Sequence, residues 1–590
     1  MKSSKSIVEE YLKQKDWRVK ESSSNPFSYG GLGKYIIGEV SKDYWLREVY
    51  PENIAQAYVK NYMHLHDLGG LTLYCCGYSL KDILLKGVKG VGNIPTSSPA
   101  KHFDSVLNQI ANLLTVFQNE IMGAVALNSF DTLLAPFIKN DRLTYIEVKQ
   151  SMQNYIYSVN SNSRMGAEPA FSNITLDLTP PEDLLDEYVI IGGELESFTY
   201  RSCQKEMDML NKAFFEIMLE GDSAGKLFSY PIPTYNIHKR FDWDNPNNKL
   251  LWELTGKFGT PYFANYINSD MNPEDARSMC CRLRLDLTEL RKRNGGLFGS
   301  GDSTGSIGVV TINLPRIAYE NKMNKQKFYE VLDHYLNIAK ESLVIKRKWI
   351  QENIIDTNAI PAYIEYVGTM NNHFSTIGIV GMNEMCQNFF DDNSNIVSEK
   401  GKLFAEEVGK HIRERLVEFQ EETGNLFNYE ATPAESTSYR LALNDLKEYP
   451  DIITQGSGKD CYYTNSCHIP VKMIEGIDAT FKHQEELQSQ FTGGTVIHLM
   501  LEGRVSGEQA KNIVKSMFEN YSVPYMSLSP ISRFCDEHGY IEEIVDKCPI
   551  CKKRLKMFQR ITGYLRCVDN YNRGKAAEFK DRNQLSSNDN

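Results

Sequence analysis

The stretch Arg560-Ile561-Thr562-Gly563-Tyr564-Leu565 decides how this chain of 590 residues is interpreted. A glycine in such a stretch is most often part of a turn. A second interpretation is chemical, because an unpaired electron on an α carbon is shared with the adjoining amide nitrogen and carbonyl only when that carbon is planar. Glycine alone has no side chain to clash in the planar form. Gly563 is therefore a candidate radical site.

Two pairs of potential metal ligands precede this glycine. Cys535 and His538 form the first pair, and Cys548 and Cys551 form the second. Each spacing puts two ligands on one tight turn, and two such turns complete the tetrahedral shell of a structural zinc ion. We therefore expect a Zn2+ knuckle that holds the segment leading to Gly563.

The composition disfavours nucleic-acid and membrane partners. The formal net charge is -11, which leaves no broad cationic face. The sequence contains no apolar run of about 18 residues, as a membrane span would need, and residues 1–15 lack the apolar core of a secretory signal. We expect a cytoplasmic protein, in which the twelve cysteines are thiols, metal ligands or catalytic groups rather than disulfides.

Short apolar runs alternate with helical patterns from about residue 165 to residue 500, which favours an α/β body. Apolar periodicity predicts strands at 306–312, 375–380 and 495–500, helices near 325–350 and 400–420, and helical spacing at 53–66 and 101–160. A shift of composition near 527–534 predicts a domain boundary. We divide the chain into an N-terminal segment, a body and a C-terminal region: 1–60, 61–526 and 527–590.

The ordered motifs resemble those of the anaerobic (class III) ribonucleoside-triphosphate reductases, which are glycyl radical enzymes. The resemblance extends over nearly the whole chain. It rests on the segments Asp16 to Glu21, His64 to Leu68, Tyr74 to Gly77, Cys280 to Arg282, Gly305 to Gly308, Asn313 to Pro315, Thr464 to Ser466 with His468, Gly493 to Thr495 with His498, and the ending from Cys535 to Arg582.

The resemblance implies a ten-stranded α/β barrel with a small C-terminal zinc-binding domain. It also implies a catalytic order. Gly563 would carry the radical, Cys281 would become the thiyl radical that removes the 3′ hydrogen of the ribose, and Cys75 would act on the opposite face of the substrate. Asn313 falls where the family places an amide that binds the ribose hydroxyls or formate.

Two further residues bear on the electron donor, which is formate in some members and a small redoxin in others. Formate users tend to carry a small residue at the position of Cys280, so the thiol there favours a redoxin. Glu168 would then act as an acid or base near the 2′-hydroxyl.

A segment at 432–438 reads as a loop that opens a helix, where backbone N–H groups and hydroxyls favour phosphate. The matching segment of the family binds the substrate phosphates. Its residues here are Thr432, Pro433, Ala434, Glu435, Ser436, Thr437 and Ser438.

The resemblance further implies a radical-SAM activase that carries a [4Fe-4S] cluster and uses S-adenosylmethionine. It implies a homodimer with a specificity site for dNTP or ATP effectors between the subunits, on the helices of about 101–160. The sequence similar to the catalytic part begins almost at once, so we expect no N-terminal ATP-cone.

Two positions depart from the family pattern, and two rival functions remain open. His538 stands where most relatives have cysteine, and Cys567 stands where proline is common. The first rival is another glycyl radical enzyme, such as a pyruvate formate-lyase type, which would use the adjacent Cys280 and Cys281. The second is a zinc-stabilised nucleotide-binding protein without catalysis, which would leave Cys75 and Cys281 unexplained.

Overall fold

The protein is described from a computed structural model. The described residues are 2–14, 19, 27–92, 94–162, 168–269 and 303–585, together with the backbone of 278–279 and 283–284. Among them, no helix combines the length and the apolar character that crossing a bilayer requires.

Nineteen strands and nineteen α-helices make up this part of the chain. The strands are β1 Met63–Leu65, β2 Cys75–Tyr78, β3 Val125–Leu127, β4 Ser172–Leu176, β5 Tyr188–Ile191, β6 Glu194–Thr199, β7 Ile232–His238, β8 Tyr262–Tyr266, β9 Ser278–Met279, β10 Leu283–Arg284, β11 Gly305–Asn313, β12 His373–Val380, β13 Leu426–Glu430, β14 Ile497–Leu501, β15 Tyr525–Pro530, β16 Ser532–Cys535, β17 Gly539–Ile541, β18 Lys556–Arg560 and β19 Leu565–Cys567. The helices are α1 Ser4–Leu12, α2 Tyr29–Tyr44, α3 Glu52–Val59, α4 Leu80–Lys86, α5 Phe103–Gln118, α6 Phe130–Asp141, α7 Tyr145–Val159, α8 Glu182–Leu185, α9 Gln204–Glu220, α10 Lys249–Phe258, α11 Leu314–Glu320, α12 Lys325–Ile350, α13 Pro361–Tyr366, α14 Met382–Phe389, α15 Glu399–Thr423, α16 Glu435–Glu448, α17 Ile477–Ser489, α18 Gly507–Asn520 and α19 Arg573–Asp581.

Ten strands form the central sheet, in the order β13-β12-β11-β2-β3-β4-β7-β8-β15-β14, and β1 pairs beside β11. Strands β2, β3, β4, β7 and β8 run parallel to one another. The other five run parallel among themselves, and the two halves meet as antiparallel pairs at β11–β2 and β15–β8.

Backbone hydrogen bonds close this sheet into a barrel. The Gly493 N–H donates to the Tyr429 carbonyl over 2.7 Å, and the Ala431 N–H donates to the Gly494 carbonyl over 2.9 Å. These bonds join β13 to the segment that enters β14. The ten-stranded barrel expected from the resemblance is confirmed.

Alternation along the strands gives the barrel an apolar outside and a polar inside. On β4, Ile174 and Leu176 pack in the outer core under the helices. Asn173 and Thr175 therefore face the interior, because successive side chains of a strand point to opposite faces. On β13, Phe427 and Tyr429 pack outside in the same way, which turns Asn428 inward.

A second sheet of four strands, in the order β17-β16-β18-β19, follows the last barrel strand directly. Strands β18 and β19 form a hairpin in which Arg560 pairs with Leu565. The four residues between them include Gly563, and the Ile561 N–H donates to the Tyr564 carbonyl over 2.9 Å across the tip. The candidate radical glycine thus lies at the tip of a hairpin.

The sequence patterns found most long elements and misread two short strands. Strands predicted at 306–312 and 375–380 are β11 and β12, and the predicted helices are α12 and α15. The helical spacing at 101–160, however, includes strand β3, and the spacing at 53–66 includes β1. All three β3 residues are buried, and a short strand covered on both faces has no polar alternation to distinguish it from a buried helix.

Candidate active site

Gly563 is buried, and two side chains hold its carbonyl oxygen. Tyr262, on β8, donates its hydroxyl to this oxygen. Arg560 donates Nη1 to the same oxygen over 3.1 Å and to the Tyr262 hydroxyl over 2.6 Å. Its Nη2 reaches the Gly259 and Thr260 carbonyls at 2.5 and 2.9 Å. The hairpin tip is therefore fixed to the rim of the barrel through one guanidinium.

A buried ion cluster on α19 supports the strand that leads to the glycine. The Glu578 carboxylate lies 2.6 Å from Lys575 Nζ and 3.0 Å from an Arg582 nitrogen. Arg582 also donates to the Arg560 and Ile561 carbonyls over 2.9 and 2.7 Å. Burial acts to raise the pKa of Glu578, but the two cations outweigh it and lower that pKa below its usual value.

Cys75 lies on the interior side of β2, close to the glycine hairpin. It forms a small buried cluster with Ala124, Tyr74, Phe171 and Tyr564, the residue after the candidate radical glycine. The Tyr564 and Phe171 rings meet edge to face at 5.2 Å. The thiol accepts the Ala124 N–H over 3.3 Å. The structure therefore brings Cys75 and the hairpin of Gly563 together.

Cys76 points the other way, into the outer core, where burial raises the pKa of its thiol. The predictions for Cys280 and Cys281 lie outside the described residues. Strands β9 and β10, which pair antiparallel on either side of these two positions in the sequence, are described as backbone. Strand β9 contacts β2, which contains Cys75, and β3, which directly follows Ala124.

The four predicted metal ligands converge. One ligand atom from each of Cys535, His538, Cys548 and Cys551 lies within 4.8 Å of every other. Cys535 Sγ is 3.5 Å from Cys551 Sγ and 3.6 Å from His538 Nδ1. These separations suit a tetrahedral ion with metal–ligand bonds of about 2.0–2.3 Å. The cluster could hold a metal, and its strand β16 pairs with β18 of the glycine hairpin.

The predicted phosphate segment follows β13 and opens α16. The Ala434 N–H donates to Asn465 Oδ1 over 2.9 Å, and no described side chain caps the helix. An Arg566 nitrogen, on β19, lies 3.3 Å from Glu435 Oε2. The Thr432 hydroxyl bonds Thr311 over 3.0 Å. The uncapped helix start and the glycine hairpin are therefore neighbours.

The structure does not bring Asn313 to the glycine hairpin. Ser306 of β11 pairs with Cys75. Asn313 lies seven residues further along the same strand, which corresponds to roughly 23 Å from Ser306. The Asn313 amide donates to the Asn61 carbonyl over 2.8 Å and to Asp445 over 2.7 Å. The strand-end motif of the sequence contains no information on which end of the strand faces Cys75.

Glu168 lies on the wall of a cavity of about 940 Å³ that also reaches Gly563 and Tyr564. Its carboxylate makes an ion pair with Lys34 Nζ over 2.8 Å. The Cys567 thiol lies on the same wall, and burial raises its pKa. The cavity gives the outside of the protein a path to the hairpin tip.

Sequence reasoning assigned no role to several interior groups. Tyr262 has no sequence signal, since it lies 301 positions before the carbonyl that it binds. His66 and Asp67 belong to a quoted motif without an assigned chemistry, and burial shifts the pKa of His66 to about 3 and that of Asp67 to about 6. Lys346 is 4% exposed, and burial lowers its pKa, against the opposing effect of Asp67 and Cys75.

Comparison with known proteins places these features in a family. The profile of the anaerobic ribonucleoside-triphosphate reductases matches residues 21–584. Anaerobic ribonucleoside-triphosphate reductases of Escherichia coli and of Enterobacteria phage T4 are each 24% identical to this chain and cover 93% of it, and the alignments span 80% and 93% of those proteins.

Solved structures show the same fold. The anaerobic ribonucleotide reductase from Thermotoga maritima in complex with dATP and CTP superposes with a TM-score of 0.74 at 22% identity, over 98% of this chain and 100% of that one. A hydroxyproline dehydratase from Clostridioides difficile superposes less well, with a TM-score of 0.52 at 12% identity. Since the family profile matches nearly the whole chain, this chain belongs to the anaerobic ribonucleoside-triphosphate reductase family of oxidoreductases.

Proposed function

We propose that this enzyme reduces ribonucleoside triphosphates to deoxyribonucleoside triphosphates, with Gly563 as the radical site. The observation that carries the assignment is the Cys75 cluster. It contains Tyr564, the neighbour of Gly563, and it lies on the strands that β9 contacts. The sequence continues from β9 directly into Cys280 and Cys281. We therefore propose that Cys281 lies near Cys75 and Gly563, where the radical chemistry needs it.

The proposed chemistry is a chain of hydrogen-atom transfers. The Cys281 S–H bond breaks as a C–H bond forms at Gly563, and the resulting thiyl radical takes the 3′ hydrogen of the ribose. The 2′-hydroxyl leaves as water, two electrons and two protons replace it, and the 3′ hydrogen returns from Cys281. Cys75 supplies a hydrogen or proton on the opposite face.

Two electron donors satisfy this balance, and the proposal keeps both. Formate gives two electrons and one proton as it becomes carbon dioxide, and the second proton comes from solvent, whereas a dithiol redoxin gives two electrons and two protons as it becomes a disulfide. The Cys280 thiol favours the redoxin. Glu168 lies on the wall of the cavity that reaches Gly563, and we propose it as an acid or base near the 2′-hydroxyl.

The start of α16 is proposed to bind the substrate phosphates. The helix from Glu435 lacks a side-chain cap among the described residues, so its first N–H groups can donate to an anion, and the helix dipole favours negative charge there. Ser436 and Thr437 add hydroxyls at the same turn. Because the Thermotoga maritima relative was solved with dATP and CTP, we propose nucleotide effectors for this chain also, at a site between two subunits of a homodimer.

The Cys3His cluster is proposed to hold structural zinc. Four protein ligands leave no open position for substrate or water, so the ion would not take part in the reaction. Cys535, His538, Cys548 and Cys551 would instead hold the turns on which the glycine hairpin depends. Histidine in the second position keeps the tetrahedral set intact.

Generation of the radical needs a partner. We propose a cytoplasmic radical-SAM activase with a [4Fe-4S] cluster that uses S-adenosylmethionine to remove a hydrogen from Gly563 under anaerobic conditions. The glycine is buried, so the hairpin must leave the barrel to meet this partner. Gly563 and Tyr564 line a cavity of about 940 Å³, which leaves space beside the hairpin.

The test is anaerobic activation followed by turnover. The protein is treated with a class III activase and S-adenosylmethionine, and the doublet of a glycyl radical is measured by EPR. Ribonucleoside triphosphates are then supplied with formate in one tube and reduced redoxin in another. Deoxynucleotide in either tube establishes the reaction and its donor. A doublet without deoxynucleotide in both tubes contradicts the proposal and favours another glycyl radical chemistry.

A further inference from the structure

We infer that Tyr262 and Arg560 are positioning residues that stabilise a radical at the α carbon of Gly563 by hydrogen bonding to its carbonyl oxygen. The inference rests on the proposed function, because it takes Gly563 to be the radical site. It gives Tyr262, a residue of barrel strand β8, a role in the chemistry of Gly563, which lies at the tip of the β18–β19 hairpin.

The geometry shows three groups in mutual contact. Tyr262 donates to the Gly563 oxygen, and Arg560 donates both to that oxygen and to the Tyr262 hydroxyl. The guanidinium also lies over the Tyr262 ring, 4.1 Å from its centroid. Tyr262 is 1% exposed and Arg560 is 3% exposed. The carbonyl therefore accepts two hydrogen bonds, one of them from a buried cation.

The orientation of this guanidinium is fixed by other contacts. Its second nitrogen donates to the Gly259 and Thr260 carbonyls, just before β8 begins. The backbone N–H of Arg560 donates to the Ser529 hydroxyl over 3.2 Å. The donors at the Gly563 oxygen are therefore in place before any radical forms, as electrostatic stabilisation of a developing charge requires.

The effect on the radical follows from electron distribution. A radical between an amide nitrogen and a carbonyl is stabilised as the nitrogen donates electron density and the carbonyl withdraws it. Hydrogen bonds to the carbonyl oxygen increase this withdrawal, and the bond from the guanidinium is charge-assisted. A buried site with low dielectric strengthens both bonds, and a chain of bonds through the phenol polarises each member.

The consequence concerns the exchange between the glycine and the thiol. In the forward step the thiol S–H bond breaks, the Gly563 C–H bond forms, and the unpaired electron moves to sulfur, with no other reactant. Donors that stabilise the glycyl side shift this equilibrium toward Gly563. They allow the radical to be stored between turnovers, and losing one of them favours its decay.

The matched variants are Tyr262→Phe and Tyr235→Phe. The first removes the hydroxyl at the hairpin and keeps the ring that Arg560 covers. The second removes a hydroxyl of a fully buried tyrosine on β7, in the outer core. Both proteins, with glycine labelled by carbon-13 at the carbonyl, are activated anaerobically and compared with the wild type by EPR and by electron–nuclear double resonance in H2O and D2O.

The expected result has two parts. In D2O, wild-type protein and Tyr235→Phe show couplings from the deuterons of both Tyr262 and Arg560. Tyr262→Phe loses the Tyr262 coupling, keeps that of Arg560 and has a changed carbon-13 coupling. The radical lifetime of Tyr262→Phe falls by about tenfold, which corresponds to about 1.4 kcal/mol.

Each contrary outcome has a distinct meaning. A wild-type protein without any doublet refutes the assignment of Gly563 itself. A Tyr262→Phe variant with the same deuteron couplings, carbon-13 coupling and lifetime as the wild type overturns the role of Tyr262. If Tyr262→Phe does not fold, wild-type protein with oxygen-17 in its tyrosine hydroxyls still decides, because the Tyr262 hydroxyl at the Gly563 carbonyl should give an oxygen-17 coupling and its absence would overturn the role.

Discussion

Replacing Glu578 by glutamine should release the strand before the glycine hairpin. The carboxylate is 8% exposed and lies between two cations that are 0% exposed, Lys575 and Arg582. Glutamine keeps the volume but leaves both cations buried without a counter-charge. Removing one member of a buried charge set costs about 3–5 kcal/mol. Since Arg582 binds the Arg560 and Ile561 carbonyls, much of this cost should appear as local opening.

The assay is hydrogen exchange by mass spectrometry on peptides that cover 556–567. At about 1.4 kcal/mol for each factor of ten, protection there should fall by roughly 10²- to 10³-fold. Arg573→Met is the matched control on the same helix, because its ion pair with Asp460 is more than half exposed on both sides and such pairs contribute about 0–1 kcal/mol. Equal protection in Glu578→Gln and Arg573→Met would refute the reasoning.

Three further predictions concern the metal, the interior carboxylate and the two adjacent thiols. Purified protein should contain one zinc ion per chain, measured by elemental mass spectrometry. His538→Cys should keep the zinc, whereas His538→Ala should lose both the zinc and the glycyl radical doublet. Wild-type protein without metal would contradict this prediction. Burial raises the pKa of the Asp67 carboxyl from 3.8 to about 6, so the folded protein binds the carboxyl proton more tightly than the unfolded chain does. The contribution of Asp67 to the free energy of unfolding is therefore fully present below about pH 4 and is lost as the pH rises through 6. The gap between these two pKa values corresponds to about 3 kcal/mol. Asp67→Asn should therefore flatten the fall of Tm between pH 4 and 6, and an unchanged slope would show that other groups cause this fall. Cys75→Ser should abolish deoxynucleotide formation and keep the doublet, while Cys76→Ala should keep turnover. Turnover in Cys75→Ser together with its loss in Cys76→Ala would mean that the interior and outer faces of β2 are wrongly assigned.

Local chemistry could be read from the sequence, and long-range geometry could not. The four metal ligands follow from two short spacings, and β11 and β12 follow from apolar runs close to their observed bounds. Closure of the barrel depends on hydrogen bonds between Tyr429 and Gly493, which no periodicity encodes. The ten-stranded topology therefore came from the family resemblance alone.

The candidate site shows the same division. Gly563 and Cys75 were predicted from motifs, and the structure associates them through Tyr564. Asn313 was predicted from the same kind of motif, yet its amide binds Asn61 and Asp445 at the other end of β11. A sequence motif predicts which side chains belong to a strand. Which residues those side chains contact depends on how the strand pairs in the sheet, and the motif does not predict that.

The polar interior of the barrel has a thermodynamic consequence. Neither side-chain polar atom of Asn173 or of Asn428 has a hydrogen-bond partner within the part of the chain that the structure describes. Leaving such a group unpaired costs about 1–3 kcal/mol, so these amides favour a ligand that can hydrogen-bond to them. A ligand that binds the folded barrel through these amides stabilises it. At a ligand concentration of a hundred times Kd the free energy of unfolding rises by about 2.7 kcal/mol, and Tm rises with it. In this fold, the thermal stability of the protein should therefore report how well a ligand pairs with these two amides.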